Sequence, residues 1–110
     1  MKLLKNIFLS SKVLSDAQRS YIQNEMANVV SSQRWGISKF SPQIKSFALK
    51  NGWGIQDDNG GIVVNTIGSV TLDDGHQYLI ASLADGFPDV DTGIANQEQM
   101  ISAAGNLLTT

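Results

Sequence analysis

Hydrophobic positions recur with two different periods along the 110-residue chain. In the first third they come at helical spacing. Leu3, Leu4, Ile7 and Phe8 mark a short amphipathic helix. Ser15 followed by Gln18 has the spacing of a capping box, and Asp16 suits the positive end of a helix dipole. The second helix is expected to run through Val30, with Tyr21, Ile22, Met26, Val29 and Val30 on its apolar face and Arg19, Gln23 and Asn24 on the polar one. Ser31-Ser32-Gln33 breaks the pattern, and Arg34-Trp35-Gly36-Ile37 reads as a single helical turn. Pro42 pushes Ser41 toward extended geometry.

Beyond Pro42 the period changes to two. Ile44 to Trp53 predicts a strand with Phe47 and Leu49 on one face. Gln56-Asp57-Asp58-Asn59-Gly60-Gly61 is dense in turn formers. Ile62 to Leu72, rich in β-branched residues, predicts a second strand. Asp73-Asp74-Gly75 is a hairpin turn signal. Gln77 to Ala84 predicts a third strand, and its run Tyr78-Leu79-Ile80-Ala81 is apolar on both faces, which places it inside a sheet covered on both sides. A final helix is expected from Asp91 or Thr92 to Leu108, with Ile94, Ile101, Ala104 and Leu108 on one face and Gly105 weakening its end. Helices, three antiparallel strands and a closing helix, with no repeat or linker between them, make one α+β domain over residues 1–110. The C-terminal helix is expected to pack on the sheet.

Composition narrows the chemistry. An apolar share of 42% is that of a globular chain, and a net charge of −2 with interspersed signs offers no basic stripe for nucleic acid. No cysteine is present, so disulfides, thiolate metal sites and a Cys nucleophile are excluded. His76 is the only histidine. A Ser-His-Asp triad would have to use it, but beside Asp73-Asp74-Gly75 it reads as a solvated turn residue. Asp57-Asp58-Asn59 and Asp89-Val90-Asp91 lack the loop and closing glutamate of a calcium hand, so turn chemistry is their reading and neither metal nor cofactor is expected. The stretch Met1 to Leu9 stops at Ser10-Ser11-Lys12 without a small-residue cleavage site, and is read as a helix, not a signal peptide. No stretch approaches the roughly 20 apolar residues of a membrane span. Trp35, Phe40, Trp53 and Phe87 have core packing as their default role.

Lys50-Asn51-Gly52 on the first strand, followed by Trp53, a long hairpin, a third strand and a helix, resembles the final third of class A β-lactamases and their penicillin-binding relatives. Ser32-Gln33-Arg34-Trp35-Gly36-Ile37, Gly61 to Gly68 and Tyr78 to Leu83 are similar to phrases of β-lactamase-like serine hydrolases. The resemblance covers essentially the whole chain. It implies that Lys50 presents a positive charge to the carboxylate of a β-lactam or peptide terminus. It also implies that Asn51 stands where the family has threonine and offers its amide to that carboxylate. By the same resemblance Gly52 lets a ligand lie against the strand, and the amide of Trp53 is the oxyanion-hole donor. From spacing alone Lys50 is a solvated edge-strand lysine.

The family also needs Ser-x-x-Lys, whose serine attacks while the lysine one turn on helps deprotonate it. No Ser-x-x-Lys occurs in these residues: Ser41 and Lys45 are one residue too far apart. Ser15-Asp16-Ala17 departs from the family's Ser-Asp-Asn at Ala17. The family places these elements upstream of the matching segment, and usually works outside the cytoplasm. Its full sheet adds two strands beside the one matching 77–84. That edge is therefore expected to take a second copy of the chain or a complementing chain. The expected function is that of a β-lactamase-like serine hydrolase segment, inactive alone. The alternatives are a non-enzymatic interaction or immunity-type module and one half of a split hydrolase.

Overall fold

The structure, a computed structural model, describes residues 1–10, 12–55 and 60–109. Three α-helices, α1 (Lys2–Phe8), α2 (Asp16–Ala27) and α3 (Val90–Thr109), accompany three strands, β1 (Ile44–Ile55), β2 (Ile62–Leu72) and β3 (Gln77–Phe87). The strands form one antiparallel sheet in the order β1-β2-β3. The fold is α+β as the pattern requires, and the bounds of β2 coincide with those expected. The Gln56–Asn59 turn and the Asp57-Asp58-Asn59 reading lie outside the described residues.

The capping box at Ser15 is formed. The Gln18 amide donates to Ser15 Oγ at 3.1 Å, and the Ser15 amide donates to Gln18 Oε1 at 2.9 Å. Helix α2 nevertheless stops at Ala27, short of Val30. Its expected apolar face is only partly inside: Met26 is buried and Ile22 and Val29 pack against the two cores, but Tyr21 and Val30 are exposed. Two residues assigned to its polar face also dock it. Arg19 Nε and Gln23 Nε2 both donate to the Ile7 carbonyl, at 3.2 and 2.6 Å. That carbonyl lies in the last turn of α1, where no intrahelical donor is left for it, so polar side chains from the neighbouring helix satisfy it.

Strand alternation sends residues to two different cores. Leu49, Val70 and Leu72 face α3 and pack with Ile37, Phe40 and Ile101. Ala48 faces the other way, against Ile7 and Met26 of α1 and α2. Burial of each large apolar side chain in the first cluster stabilises the fold by about 1.5–3 kcal/mol. Two short 3-10 turns, Ser31–Gln33 and Ile37–Lys39, flank Trp35-Gly36 where one helical turn was expected. The chain reverses at Gly36, whose φ of 89° is open to glycine and costly for other residues.

Three further expectations are corrected. β1 does not stop at Trp53 but continues through Ile55 opposite Ile62, which leaves Lys50 well inside the strand. β3 has the open edge expected of it but is not covered on both faces, with Ala81 exposed and Leu83 68% exposed. β2, carrying fully buried Val64, Thr66 and Val70, holds the centre. The apolar run in β3 records a tendency to be buried, whereas burial itself depends on neighbours that the run cannot specify. On α3 the buried stripe is Gly93, Gln97, Ile101 and Gly105, at a spacing of four. Ala104 and Leu108, expected inward, are exposed. Pairing of helix and sheet selects the glycines, which let the backbones approach.

Candidate functional site

β1 carries the four residues singled out by the sequence, and alternation divides them between the two faces of the sheet. Lys50 is exposed on the α1/α2 side. Its Nζ donates to the carbonyl of Asn51, which folds the ammonium back along its own strand. Gly52 lies on the same face, and a Cβ there would meet nothing within 4 Å. The same holds at Gly54. The Lys50–Gly54 side of β1 is therefore a cation followed by bare backbone, with room beside the strand.

Asn51 points the other way and is only 1% exposed. Its Nδ2 donates to the carbonyls of Gln33 at 2.9 Å and Trp35 at 3.1 Å, so both amide hydrogens are committed within the protein. Its Oδ1 is a buried acceptor without a partner. The amide is thus placed as a tie to the segment before β1. Trp53, on the Asn51 face, is half-exposed, and its ring meets Trp35 with centroids 5.9 Å apart at 53°. The two tryptophans stand side by side near the Ile55 end of β1.

A row of buried and half-buried polar side chains runs from this point across the sheet. Asn51 is opposite Thr66, and Thr66 is opposite Ser82. Thr66 Oγ1 accepts from the Ile37 amide at 3.2 Å. Ser82 Oγ donates to Gln97 Oε1, and Gln97 Nε2 donates to the carbonyls of Val64 at 2.7 Å and Ser82 at 3.2 Å. Glu98 Oε2 accepts from the Gly36 amide at 3.1 Å. The sequence reading missed this network. Its one available signal was the i, i+4 series Gly93-Gln97-Ile101-Gly105, in which a glutamine occupies a core position.

His76 is not brought to β1. It sits in the β2–β3 turn, at the Ile44 end of the sheet, about 20 Å along the strand from Lys50. Its Nδ1 is 2.9 Å from Asp74 Oδ2, and both residues are exposed. Hydrogen bonds from His76 hold the Asp74 carboxyl below its ordinary range. The Asp89 carboxylate accepts from the Thr92 amide at 2.7 Å, which likewise lowers it. No helix among the described residues is long and apolar enough to cross a membrane.

No family model and no curated protein matches the chain. Solved structures do. Two structures of TLA-1 extended-spectrum β-lactamase, one of them a variant, superpose with a TM-score of 0.80 at 22% identity. TLA-3 extended-spectrum β-lactamase does so with a TM-score of 0.80 at 19% identity. Each covers 99% of this chain, which spans 40% of the length of the β-lactamase it matches. At this identity the likeness speaks for the fold alone. With the strand order and the closing helix described above, it establishes that the chain has the fold of the C-terminal portion of a class A β-lactamase.

Proposed function

We propose that these residues form a β-lactamase-like serine hydrolase segment that supplies a ligand-facing strand and is catalytically inactive by itself. The observation that carries this reading is the exposed Lys50 followed by the bare backbone of Gly52 and Gly54 on one face of β1. Lys50 would attract the carboxylate of a β-lactam or peptide terminus, and the glycines would let that ligand lie against the strand. In the family resemblance the Trp53 amide is an oxyanion donor, a role whose loss typically costs about 3–4 kcal/mol of transition-state stabilisation. Asn51 is withdrawn from the ligand-binding set, because its amide hydrogens are used by Gln33 and Trp35.

Inactivity follows from the absence of Ser-x-x-Lys in these 110 residues. The remaining nucleophile machinery would come from further polypeptide docked at the open edge of β3, a complementing chain or a second copy. Supporting this is a groove of about 380 Å³ beside that edge, lined by Leu79, Ile80, Met100, Ile101, Ala104 and Leu108. The same groove favours a second reading, that of an interaction module without catalysis.

Nitrocefin turnover and labelling by a fluorescent penicillin test the first reading. The chain alone is expected to give neither, while a β-lactam carboxylate binds weakly and Lys50→Ala reduces that binding at least severalfold. Covalent labelling at any serine overturns the claim of inactivity. Carboxylate binding that is absent, or indifferent to Lys50, leaves the interaction module as the function.

A further inference from the structure

We infer that Asn51 is a positioning residue: through the backbone of Trp35 it sets the Trp35–Trp53 ring pair near the Ile55 end of β1. The inference rests on geometry alone and holds whether or not the strand takes a ligand. Asn51 Nδ2 holds two carbonyls of one short segment, Gln33 and Trp35, and Trp35 is the residue whose ring lies on Trp53. Trp53 follows Asn51 by two residues and so projects from the same face of the same strand. One side chain therefore clamps the backbone of the first tryptophan beside the strand that carries the second.

Ring packing alone is a weak constraint here. Trp53 is 48% exposed, and an aromatic pair adds only about 0.5–1.5 kcal/mol beyond its area burial. The clamp is buried, and a buried hydrogen bond is more costly to lose than an exposed one. Its orientation is also determined. Turning the amide over would set Oδ1 against two carbonyl oxygens, so Nδ2 must face Gln33 and Trp35 even though Oδ1 is left without a partner. Beyond Trp35 the chain is anchored a second time, where the Gly36 amide meets Glu98 of α3 and the Ile37 amide meets Thr66. Those bonds hold the segment after Trp35, and Asn51 ties Gln33 and Trp35 itself to β1. Trp35 is thereby fixed from both sides.

The chain has two tryptophans, so coupling between their indole transitions reports on this one contact. Circular dichroism of the wild-type chain should show a tryptophan exciton couplet that Trp35→Phe removes. Asn51→Leu keeps the side-chain shape and deletes both donors. It is expected to retain the far-ultraviolet helix signal while the couplet falls below half its size. Asn51→Gln, which restores an amide, should recover part of it. A folded Asn51→Leu chain with an undiminished couplet overturns the inference. Should that variant not fold, the wild type decides by hydrogen exchange of its side-chain amides. Asn51 protons are expected to exchange at least tenfold more slowly than those of Asn96, whose amide donates to Thr92 O at an exposed position. Equal rates overturn the inference as well.

Discussion

Gly105 shows how one hydrogen atom can decide where a helix lies. In an isolated helix, replacing glycine by alanine is favourable by roughly 1 kcal/mol. Here a Cβ at position 105 would fall 1.6 Å from the Phe40 carbonyl oxygen, and the obstacle is backbone, which cannot rotate away. Phe40 is itself in the main core, so relief requires α3 to move off the sheet. Gly105→Ala is therefore expected to lose stability by about 1–3 kcal/mol, the range of overpacked cores, with the sign opposite to helix propensity. Urea unfolding measures it, and a stabilised variant would show that α3 is not seated at Phe40. Gly36 is a related case, combining a positive φ with a Cβ position 2.3 Å from Thr66 Oγ1.

At the scale of the element, α3 is held at both ends by groups other than its apolar stripe. Gln97 and Ile101 sit mid-helix on the sheet, Gly105 closes on Phe40, and the start is fastened by Asp89. The Asp89 carboxylate, just before the helix, accepts from the Thr92 amide and is depressed below its ordinary value of 3.8. A depressed carboxyl stabilises the folded state above its unfolded value, and that contribution is lost as pH falls through the lower folded value. The Thr92 amide resonance should accordingly report the ionisation of Asp89. It should titrate below the ordinary value of 3.8, and Asp89→Asn should abolish the titration. A midpoint above that value would mean that the bond to Thr92 does not favour the charged form. Asp89 is exposed, so the effect belongs to the first turn of α3 and not to the stability of the whole fold.

For the whole molecule, the informative feature is the contrast between the two edges of the sheet. β1 bears Lys45 and Lys50, and charged edges resist pairing. β3 has no charged residue from Tyr78 to Ala84, and exposed Leu83, Met100 and Leu108 surround it. A second copy paired there, as proposed above, should raise the mass seen by light scattering between low and high micromolar concentration. Leu83→Lys should suppress that rise. Because Leu83 is 68% exposed, the substitution should leave monomer stability within about 0.5 kcal/mol. A wild-type mass that stays monomeric across this range removes self-pairing, and leaves a complementing chain as the occupant of the edge.

Much of this molecule was legible in order along the chain. The capping box at Ser15, the β-branched run of β2 and the Asp73-Asp74-Gly75 turn are local devices, each set by a few adjacent residues, and each appears where its residues stand. The α+β class and the resemblance to the closing part of a β-lactamase were legible for the same reason, since both depend on the succession of elements. Burial was not. Tyr21 and Leu108 fit a helical stripe yet lie outside, while Gln97 and Asn51 lie inside. Periodicity shows which residues share a face, but it cannot say what that face meets. The role of Asn51 is the sharpest instance. Whether its amide served a ligand or the protein depended on two carbonyls 16 and 18 residues away, brought beside it only by the fold. Hydrogen-bond partners, glycine contacts and the open edge of β3 arise from packing between distant segments, so the tertiary structure alone decided them.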